Sequence, residues 1–258
     1  MKLLRLGEKG KEKPAVLDKN DKLRDISSVI KDLNPEFLNF ETISKLENLD
    51  LSSLPELPTG KRIGSCITKP GKFVAIGLNY SDHAAETGAD APSEPIVFMK
   101  ATSSINGPND DIEIVSGSKK LDWEVELGIV IGKETKHISQ DQSQDHILGY
   151  CLVNDISERE WQIEKMGQWV KGKSHDTYGP IGPHLVTKDE IADINNLKMS
   201  LEVNGKRMQT GNTSTMIFNV DFIVSYLSKF MSLQAGDIIT TGTPPGVGMG
   251  MKPQQFLK

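Results

Sequence analysis

The chain has few of the features that mark secreted or membrane proteins. Its 258 residues include two cysteines, Cys66 and Cys151, without a C-x-x-C pattern, which offers no disulfide framework and suits a reducing compartment. No apolar run approaches the roughly 18 residues that a membrane-spanning helix needs, and the N-terminus lacks the continuous apolar core of a signal peptide. We therefore expect a cytoplasmic protein without a membrane partner.

Basic residues are not in excess, and no segment concentrates them. The 30 Lys and Arg residues are outnumbered by 35 Asp and Glu residues, which gives a formal net charge of −5. Nucleic acids and acidic membranes bind positively charged surfaces, so neither is an expected partner. The chain also has no G-x-S-x-G motif, so the sequence does not indicate a serine nucleophile.

Turn residues divide the chain into a short first part and a longer second part. Residues 1–60 are typical of a small β-rich domain, with a hairpin at the turn 18–21 and a helix that Asn34 caps and Pro35 opens. Residues 61–258 contain short strand-like runs whose connections are too short for regular βαβ units. We predict a mixed α/β, β-rich protein with a mixed or mostly antiparallel sheet. The predicted strands cover residues 73–78, 96–100, 112–115, 123–131, 148–154, 199–203 and 237–241, and the clearest helix covers residues 222–230.

Two glutamates, Glu124 and Glu126, lie in a strand-like run with apolar residues at the alternate positions. Because the side chains of a strand alternate between its faces, both carboxylates point the same way, roughly 7 Å apart at the backbone. Two such charges repel unless a cation or proton joins them, and oxygen ligands favour a hard divalent ion. A solvated acidic face on a half-exposed strand is the alternative.

Asp155 is a third acid that could join this pair. It ends the apolar run 147–154, just before residues 157–160, which match the capping-box pattern of a helix start. With Glu124 and Glu126 it would give three oxygen ligands for octahedral Mg²⁺ or Mn²⁺ and leave positions for water and substrate. Taken alone, Asp155 is equally well explained by bonds to free amide groups at the helix start.

A second polar group follows the predicted strand 73–78. His83 and Glu86 are three residues apart in a predicted helix, which places them on one face. The carboxylate can orient and polarise the imidazole there, so that it takes a proton from water near neutral pH. An ordinary surface pair is the alternative.

Two Gly-rich loops add further candidates. Lys173, in the loop 171–183, would offer positive charge to a developing oxyanion if it lay beside a metal, whereas an exposed loop cation is the alternative. The segment 240–250 follows a strand, and its hydroxyls and amides have the chemistry to hold a carboxylate. Its glycines match neither G-x-G-x-x-G nor a G-K-[ST] ending, so we do not interpret it as a nucleotide-binding loop.

Five segments, in this order, resemble the fumarylacetoacetate hydrolase family, in particular its bacterial acylpyruvate hydrolase and 2-hydroxyhepta-2,4-diene-1,7-dioate isomerase branch. They are GLNYSDHAAE, DWEVELGIVIG, LVNDISERE, KGKSHDTYGP and TGTPPGVG. The resemblance runs from about Lys69 to the C-terminus. It implies a mixed β-sandwich roll around a divalent metal, behind a small N-terminal domain, in a homodimer. Relatives usually continue into further strands, so we expect the catalytic domain 61–258 to lack its last strands.

The resemblance also implies roles for individual residues. It implies metal ligation by Glu124, Glu126 and Asp155, a water-activating dyad of His83 and Glu86, an oxyanion partner in Lys173, and substrate contacts from Arg159, Gln162 and Thr243.

The implied activity is that of a metal-dependent hydrolase with Mg²⁺ or Mn²⁺ as cofactor. It would cleave a C–C bond in a 2,4-dioxo acid, of the acylpyruvate or fumarylpyruvate type, to pyruvate and a carboxylic acid. Water activated by His83 and Glu86 attacks the distal carbonyl, and a pyruvate enolate stabilised at the metal departs. The alternatives are isomerisation or hydration of 2-hydroxy-dienoates, decarboxylation of oxaloacetate, and an inactive metal-binding protein. The identity of the 2-keto acid substrate is expected to depend on residues 81–95 and 167–183.

Overall fold

The computed structural model describes residues 1–88 and 90–258, so Ala89, in the segment 81–95, lies outside the described residues. The strands are β1 Lys2–Leu6, β2 Lys13–Leu17, β3 Leu23–Asp25, β4 Ile63–Gly64, β5 Phe73–Gly77, β6 Ile96–Met99, β7 Ile105–Asn106, β8 Leu121–Asp122, β9 Val125–Ile131, β10 Ile147–Asn154, β11 Ser157–Glu158, β12 Gly179–Pro180, β13 Leu185–Thr187, β14 Lys198–Val203, β15 Lys206–Asn212 and β16 Ile238–Thr240. The α-helices are α1 Phe40–Glu47, α2 Ser81–Thr87, α3 Val170–Lys173 and α4 Val220–Ser228. Within the described ranges, no helix combines the length and apolar character needed to cross a membrane.

Ten strands form one mixed sheet. Its order is β3-β2-β1-β13-β10-β9-β16-β5-β6, and β4 pairs with β1 beside this path. The pairing of β5 with β16 is parallel and the other pairings are antiparallel, as the sequence predicts. Leu3 of β1 lies opposite Leu185 of β13, which joins the first strands to the rest. Strands from both sides of residue 60 thus share one sheet, and a domain boundary there stays a prediction.

Both faces of this sheet are covered by apolar side chains. Val130 of β9 belongs to a core that includes Leu3 and Leu38 from the N-terminal part. Its neighbour Ile129 belongs to a second core, together with Ile223 of α4. Adjacent residues of β9 therefore enter different cores, as the two-residue period of a strand requires.

The first helix begins later than predicted. Asn34 starts only a turn, in which its side chain accepts a hydrogen bond from the Glu36 amide at 2.9 Å. Asn39 is the residue that caps α1, because its side chain accepts from the Thr42 amide at 2.9 Å. The side chains of Asn34 and Asn39 can both cap a helix. Leu38, between them, is fully buried in the core before the helix begins, and the helix follows Asn39.

Two other predicted elements are wrong. In the described chain, residues 112–115 form no strand, and the Glu113 amide donates to the Thr177 hydroxyl at 2.9 Å instead of to a ladder. Ser157 caps no helix there either, because it pairs with Asp122 in the small β8–β11 sheet and its hydroxyl donates to the Asp155 carbonyl at 2.8 Å. The helical turn that follows is a π-helix, Glu160–Glu164.

Candidate active site

Strand pairing brings distant parts of the sequence to one edge of the sheet. β10 and β16 flank β9 and run antiparallel to it, so their C-terminal ends lie beside the start of β9. Val153 lies opposite Glu126, and the Asp155 amide donates to the Glu124 carbonyl at 2.9 Å. Because β5 runs parallel to β16, α2 also begins at this edge.

Three carboxylates meet at this edge. One oxygen atom from each of Glu124, Glu126 and Asp155 lies within 4.8 Å of the others. The three residues are 6%, 1% and 1% exposed, respectively. Such burial excludes a solvated acidic face, and the absence of a capped helix after Ser157 removes the alternative for Asp155.

Buried cations surround two of the carboxylates. Lys173 Nζ lies 2.7 Å from Glu124 Oε2 and 2.7 Å from Asp155 Oδ2, Arg159 Nη1 lies 2.7 Å from Glu124 Oε1, and Lys100 Nζ lies 2.6 Å from Asp155 Oδ1. Burial raises the pKa of Glu124, but Lys173 and Arg159 outweigh it and lower this pKa to about 2. Burial lowers the pKa of Lys173, but Asp155 and Glu124 outweigh it and raise this pKa. Lys173 is therefore not an exposed loop cation.

Glu126 differs from the other two carboxylates, since no ion pair involves it among the described residues. Its Oε2 accepts hydrogen bonds from the Thr240 hydroxyl and, at 2.8 Å, from the Gly242 amide. Burial, and then repulsion from Asp155 and Glu124, raise the pKa of Glu126 well above its usual value. A divalent cation would relieve this repulsion, and carboxylate oxygens are ligands that Mg²⁺ and Mn²⁺ favour. The donor set therefore fits such an ion.

The predicted histidine and glutamate pair forms on α2. His83 Nδ1 lies 3.1 Å from Glu86 Oε2, as residues three apart on a helix allow. The Gly246 amide donates to both oxygens of Glu86, at 3.0 and 3.2 Å, and so connects α2 to the loop after β16. His83 is 7% exposed. The pair therefore joins a buried histidine to a half-buried glutamate that the Gly246 amide braces, which differs from an ordinary surface pair.

A cavity of about 170 Å³ lies over the carboxylate cluster. Nine candidate site residues are named in the sequence analysis, and eight of them line this cavity. The ninth, Glu86, contacts the cavity residue His83. Thr243 is one of the eight, although its hydroxyl donates to the Val125 carbonyl at 3.0 Å and accepts from Gln209 Nε2 at 2.7 Å. Its role toward a substrate carboxylate stays a prediction, as do the roles of the other eight.

Sequence reasoning misses one buried acid of the site, Asp122. This residue is 0% exposed. Its Oδ2 accepts a hydrogen bond from Arg159 Nε at 2.8 Å, and Arg159 Nη2 lies 2.8 Å from the same oxygen in an ion pair. It also accepts from the amides of Gly248 and Met249, at 2.6 and 2.9 Å. Asp122 precedes Glu124 by two residues, so extending the alternation of acids one step backwards would have found it.

Lys100 is the second residue that sequence reasoning misses. It follows Phe98 by two residues and so continues the face of β6 that lines the cavity. Its Nζ donates to Asp155 and to the Lys173 carbonyl. Burial lowers the pKa of Lys100, and the ion pair with Asp155 offsets this only in part. An isolated lysine after a strand carries no sequence signal for such a position.

Residues 167–174 match the sequence motif of a phosphate-binding loop, G-x-x-x-x-G-K-[ST]. The structure does not support that interpretation. The segment follows a π-helix and not a strand, and α3 has only four residues. Lys173 Nζ lies between two carboxylates.

Comparison with known proteins gives the family. Residues 72–258 match the model of the fumarylacetoacetate (FAA) hydrolase C-terminal domain. The chain belongs to the fumarylacetoacetate hydrolase family. A curated protein from Burkholderia ambifaria, provisionally named a hydrolase, is 56% identical over 259 residues, which cover 100% of this chain and 92% of that protein. The resemblance drawn from the five sequence segments is thus confirmed.

Solved structures of fumarylacetoacetate hydrolase family members share the fold. The fumarylacetoacetate hydrolase from psychrophilic Exiguobacterium antarcticum has a TM-score of 0.89 and is 34% identical, with 100% of this chain and 92% of that chain covered. The maleylpyruvate hydrolase from Sphingobium sp. SYK-6, in complex with manganese(II) and pyruvate, has a TM-score of 0.81 and is 27% identical, with 96% and 90% covered. The predicted mixed α/β, β-rich fold with an N-terminal β region is confirmed.

Proposed function

We propose that this family member is a metal-dependent hydrolase that cleaves a 2,4-dioxo acid to pyruvate and a carboxylic acid. The observation that carries the proposal is the location of His83, braced by Glu86, on the same cavity as three buried carboxylates. The first group is suited to activating water and the second to holding a divalent ion. The complex of manganese and pyruvate with the Sphingobium enzyme supports the same combination of cofactor and product.

Glu124, Glu126 and Asp155 would hold Mg²⁺ or Mn²⁺. When bound, the ion supplies Lewis-acid stabilisation of the negative charge that develops on the 2-oxo acid. Arg159 and Gln162 line the same cavity, and Arg159 Nη1 donates to Gln162 Oε1 at 2.9 Å. We assign this pair to orienting the substrate, because its geometry is fixed before substrate arrives.

The proposed reaction begins with a proton transfer to His83. Its Nδ1 is engaged by Glu86, so Nε2 is the nitrogen that takes a proton from water. The water oxygen adds to C4 of the substrate, and Lys173 Nζ stabilises the oxyanion formed there. The C3–C4 bond then breaks, its electron pair goes to C3, and the proton returns to C3 to give pyruvate. The acyl half leaves as the carboxylic acid.

Isomerisation of 2-hydroxy-dienoates and decarboxylation of oxaloacetate use the same kind of metal site without adding water, whereas hydration of 2-hydroxy-dienoates adds water to a C=C bond and breaks no C–C bond. The His83–Glu86 pair favours hydrolysis over isomerisation and decarboxylation, because neither of these two reactions needs an activated water. A homodimer and a cytoplasmic location stay predictions.

The test is release of pyruvate from a panel of acylpyruvates and oxaloacetate, with Mg²⁺ or Mn²⁺ and again after chelation. Metal-dependent pyruvate in equal amount to a carboxylic acid is the expected result. Carbon dioxide with pyruvate from oxaloacetate alone would replace hydrolysis by decarboxylation. If a folded protein that binds Mn²⁺ releases no pyruvate from any substrate of the panel, the proposal is contradicted, and isomerase chemistry or an inactive metal-binding protein is favoured.

A further inference from the structure

We infer that the cavity selects a substrate whose acyl group is uncharged over one whose acyl group ends in a second carboxylate. This inference rests on the proposed hydrolysis of acylpyruvates and names the class of acylpyruvate. It comes from the division of the cavity wall into a charged part and an apolar part.

The charged part of the wall is a connected group around the carboxylate cluster. Arg159 and Lys173 both line the cavity, and each is already engaged by acids. Arg159 is held by Asp122 and Glu124 at 2.7 to 2.8 Å. Lys173 lies 2.7 Å from two carboxylates. These cations therefore lie beside the carboxylate cluster, where the 2-oxo acid half and the C4 carbonyl of the substrate would bind.

The apolar part of the wall is built from the end of β5, the start of β6 and the segment before α3. Ile96 lies opposite Gly77 in the antiparallel pair. Trp169 packs directly over Gly77, since a Cβ atom built there would lie 2.4 Å from Trp169 Cζ3. The rings of Phe98 and Trp169 meet edge to face, with centroids 5.4 Å apart. Because glycine lacks a Cβ, Gly77 is what allows the indole to close this side.

A second carboxylate on the acyl group would meet this apolar wall. Among the described residues that line the cavity, the cations besides His83 are Arg159 and Lys173. Lys173 Nζ lies 5.2 Å from the centroid of the Phe98 ring, but its charge is engaged by Glu124 and Asp155. Ile96 on this wall is 36% exposed, so the carboxylate would lose part of its hydration there without gaining a partner, and the cluster of three acids nearby adds repulsion. An alkyl group in the same place would bury apolar surface and gain from it. The wall thus discriminates by charge at the acyl end.

Two substrates with the same seven-carbon chain test this inference. They are 2,4-dioxoheptanoate, which ends in a methyl group, and 2,4-dioxoheptanedioate, which ends in a carboxylate. We expect the wild-type kcat/KM to favour the first by at least about tenfold. A second measurement does not depend on turnover. It is the calorimetric titration of the Mn²⁺-loaded protein with 2-oxoheptanoate and with 2-oxoheptanedioate. Both compounds lack the 4-oxo group, so the enzyme cannot hydrolyse them.

A charge placed on the wall should change the preference. Ile96 is 36% exposed and lies on β6, which ends the sheet order, so Ile96→Lys is a tolerable substitution. It should reduce the preference for the monoacid by about tenfold in both measurements. Met99→Lys is the matched control: Met99 is 38% exposed on the other face of the same strand, and its substitution should leave the preference unchanged.

The outcomes separate this inference from the proposed function. Preference of the wild-type enzyme for the dioate, or equal use of both, overturns the inference and leaves hydrolysis standing. Absence of hydrolysis with retained calorimetric preference for 2-oxoheptanoate contradicts the proposed function and supports the selective wall. A Met99→Lys effect as large as that of Ile96→Lys also overturns the inference, because general charge would then explain the change.

Discussion

One carboxylate oxygen of Asp122, Oδ2, lies 2.8 Å from both Nε and Nη2 of the Arg159 guanidinium, and Nε donates a hydrogen bond to it. Both residues are almost completely buried. The same carboxylate accepts from the Gly248 and Met249 amides. Asp122 thus connects the loop after β16 to the arginine beside the predicted metal ligands, and holds two walls of the cavity in one arrangement.

Asp122→Asn should destabilise the protein by about 3–5 kcal/mol, because it leaves a buried guanidinium without half of its compensating charge. The free energy of unfolding in urea, with a chelator present, measures this. Glu202→Gln is the matched control. Glu202 pairs with Arg207 at 2.9 Å, but its side chain is 50% exposed, so its loss should cost less than about 1 kcal/mol. Equal effects from the two substitutions would contradict the proposed importance of burial.

Lys173→Met should change metal affinity and turnover in opposite directions. The ammonium group lies 2.7 Å from two of the predicted ligands, so its removal should strengthen Mn²⁺ binding. Loss of the oxyanion partner should lower kcat by about 10²- to 10³-fold. Calorimetry with Mn²⁺ and steady-state kinetics measure the two effects. Lys171→Met, two residues away on α3 and exposed, should change neither. Weaker Mn²⁺ binding in Lys173→Met would show that the lysine supports the ion site rather than competing for it.

The sequence predicts the elements of the site better than their assembly. Alternation in the run 123–131 is enough to predict that Glu124 and Glu126 share one face, because period two is a local property of a strand. The position of Asp155 beside them depends on the register between β9 and β10. Register follows from packing across the whole sheet. From its own pattern the sequence therefore offers this grouping only as one alternative for Asp155, and the family resemblance is what selects it.

Buried charges are harder to predict than apolar positions. Lys100 and Asp122 look like surface residues in the sequence, since lysine and aspartate are exposed in most proteins. Their ion pairs form with residues 55 and 37 positions away, and no local pattern encodes such a distance. Helix ends are ambiguous for a related reason: Asn34 and Asn39 have the same capping chemistry, and core packing of Leu38 decides between them.

His83→Asn should lower kcat by about 10²- to 10⁴-fold, because asparagine cannot take the proton from water. Mn²⁺ affinity should stay within about twofold of wild type, since the predicted ligands are carboxylates. His137→Asn is the control: His137 is exposed and has a φ of 52°, which asparagine tolerates. Turnover of His83→Asn at the wild-type rate would eliminate the water-activating role of the dyad.

Acid stability should depend on Glu12, which does not line the cavity over the predicted metal site. Its side chain is 4% exposed and contacts Arg62 at 2.8 Å and Arg5 at 3.2 Å. Burial raises the pKa of Glu12, but the hydrogen bond from Arg62 and the charge of Arg5 lower it overall from the usual 4.5. A group whose pKa is lowered by folding stabilises the protein above its unfolded pKa, and this contribution disappears as the pH falls through the folded pKa.

Glu12→Gln should therefore lower the free energy of unfolding by about 1.5–3 kcal/mol at pH 7, the range for hydrogen bonds to charged groups. The difference from wild type should shrink as the pH falls below 4.5, because the wild-type carboxylate then becomes protonated and, like the glutamine side chain, uncharged. Urea unfolding across this pH range, with a chelator to remove metal effects, measures both. Glu8→Gln, whose side chain is 81% exposed beside Lys11, should follow the wild-type curve. A Glu12→Gln deficit that stays constant with pH would mean that the carboxylate acts through packing, and that its charge contributes nothing to acid sensitivity.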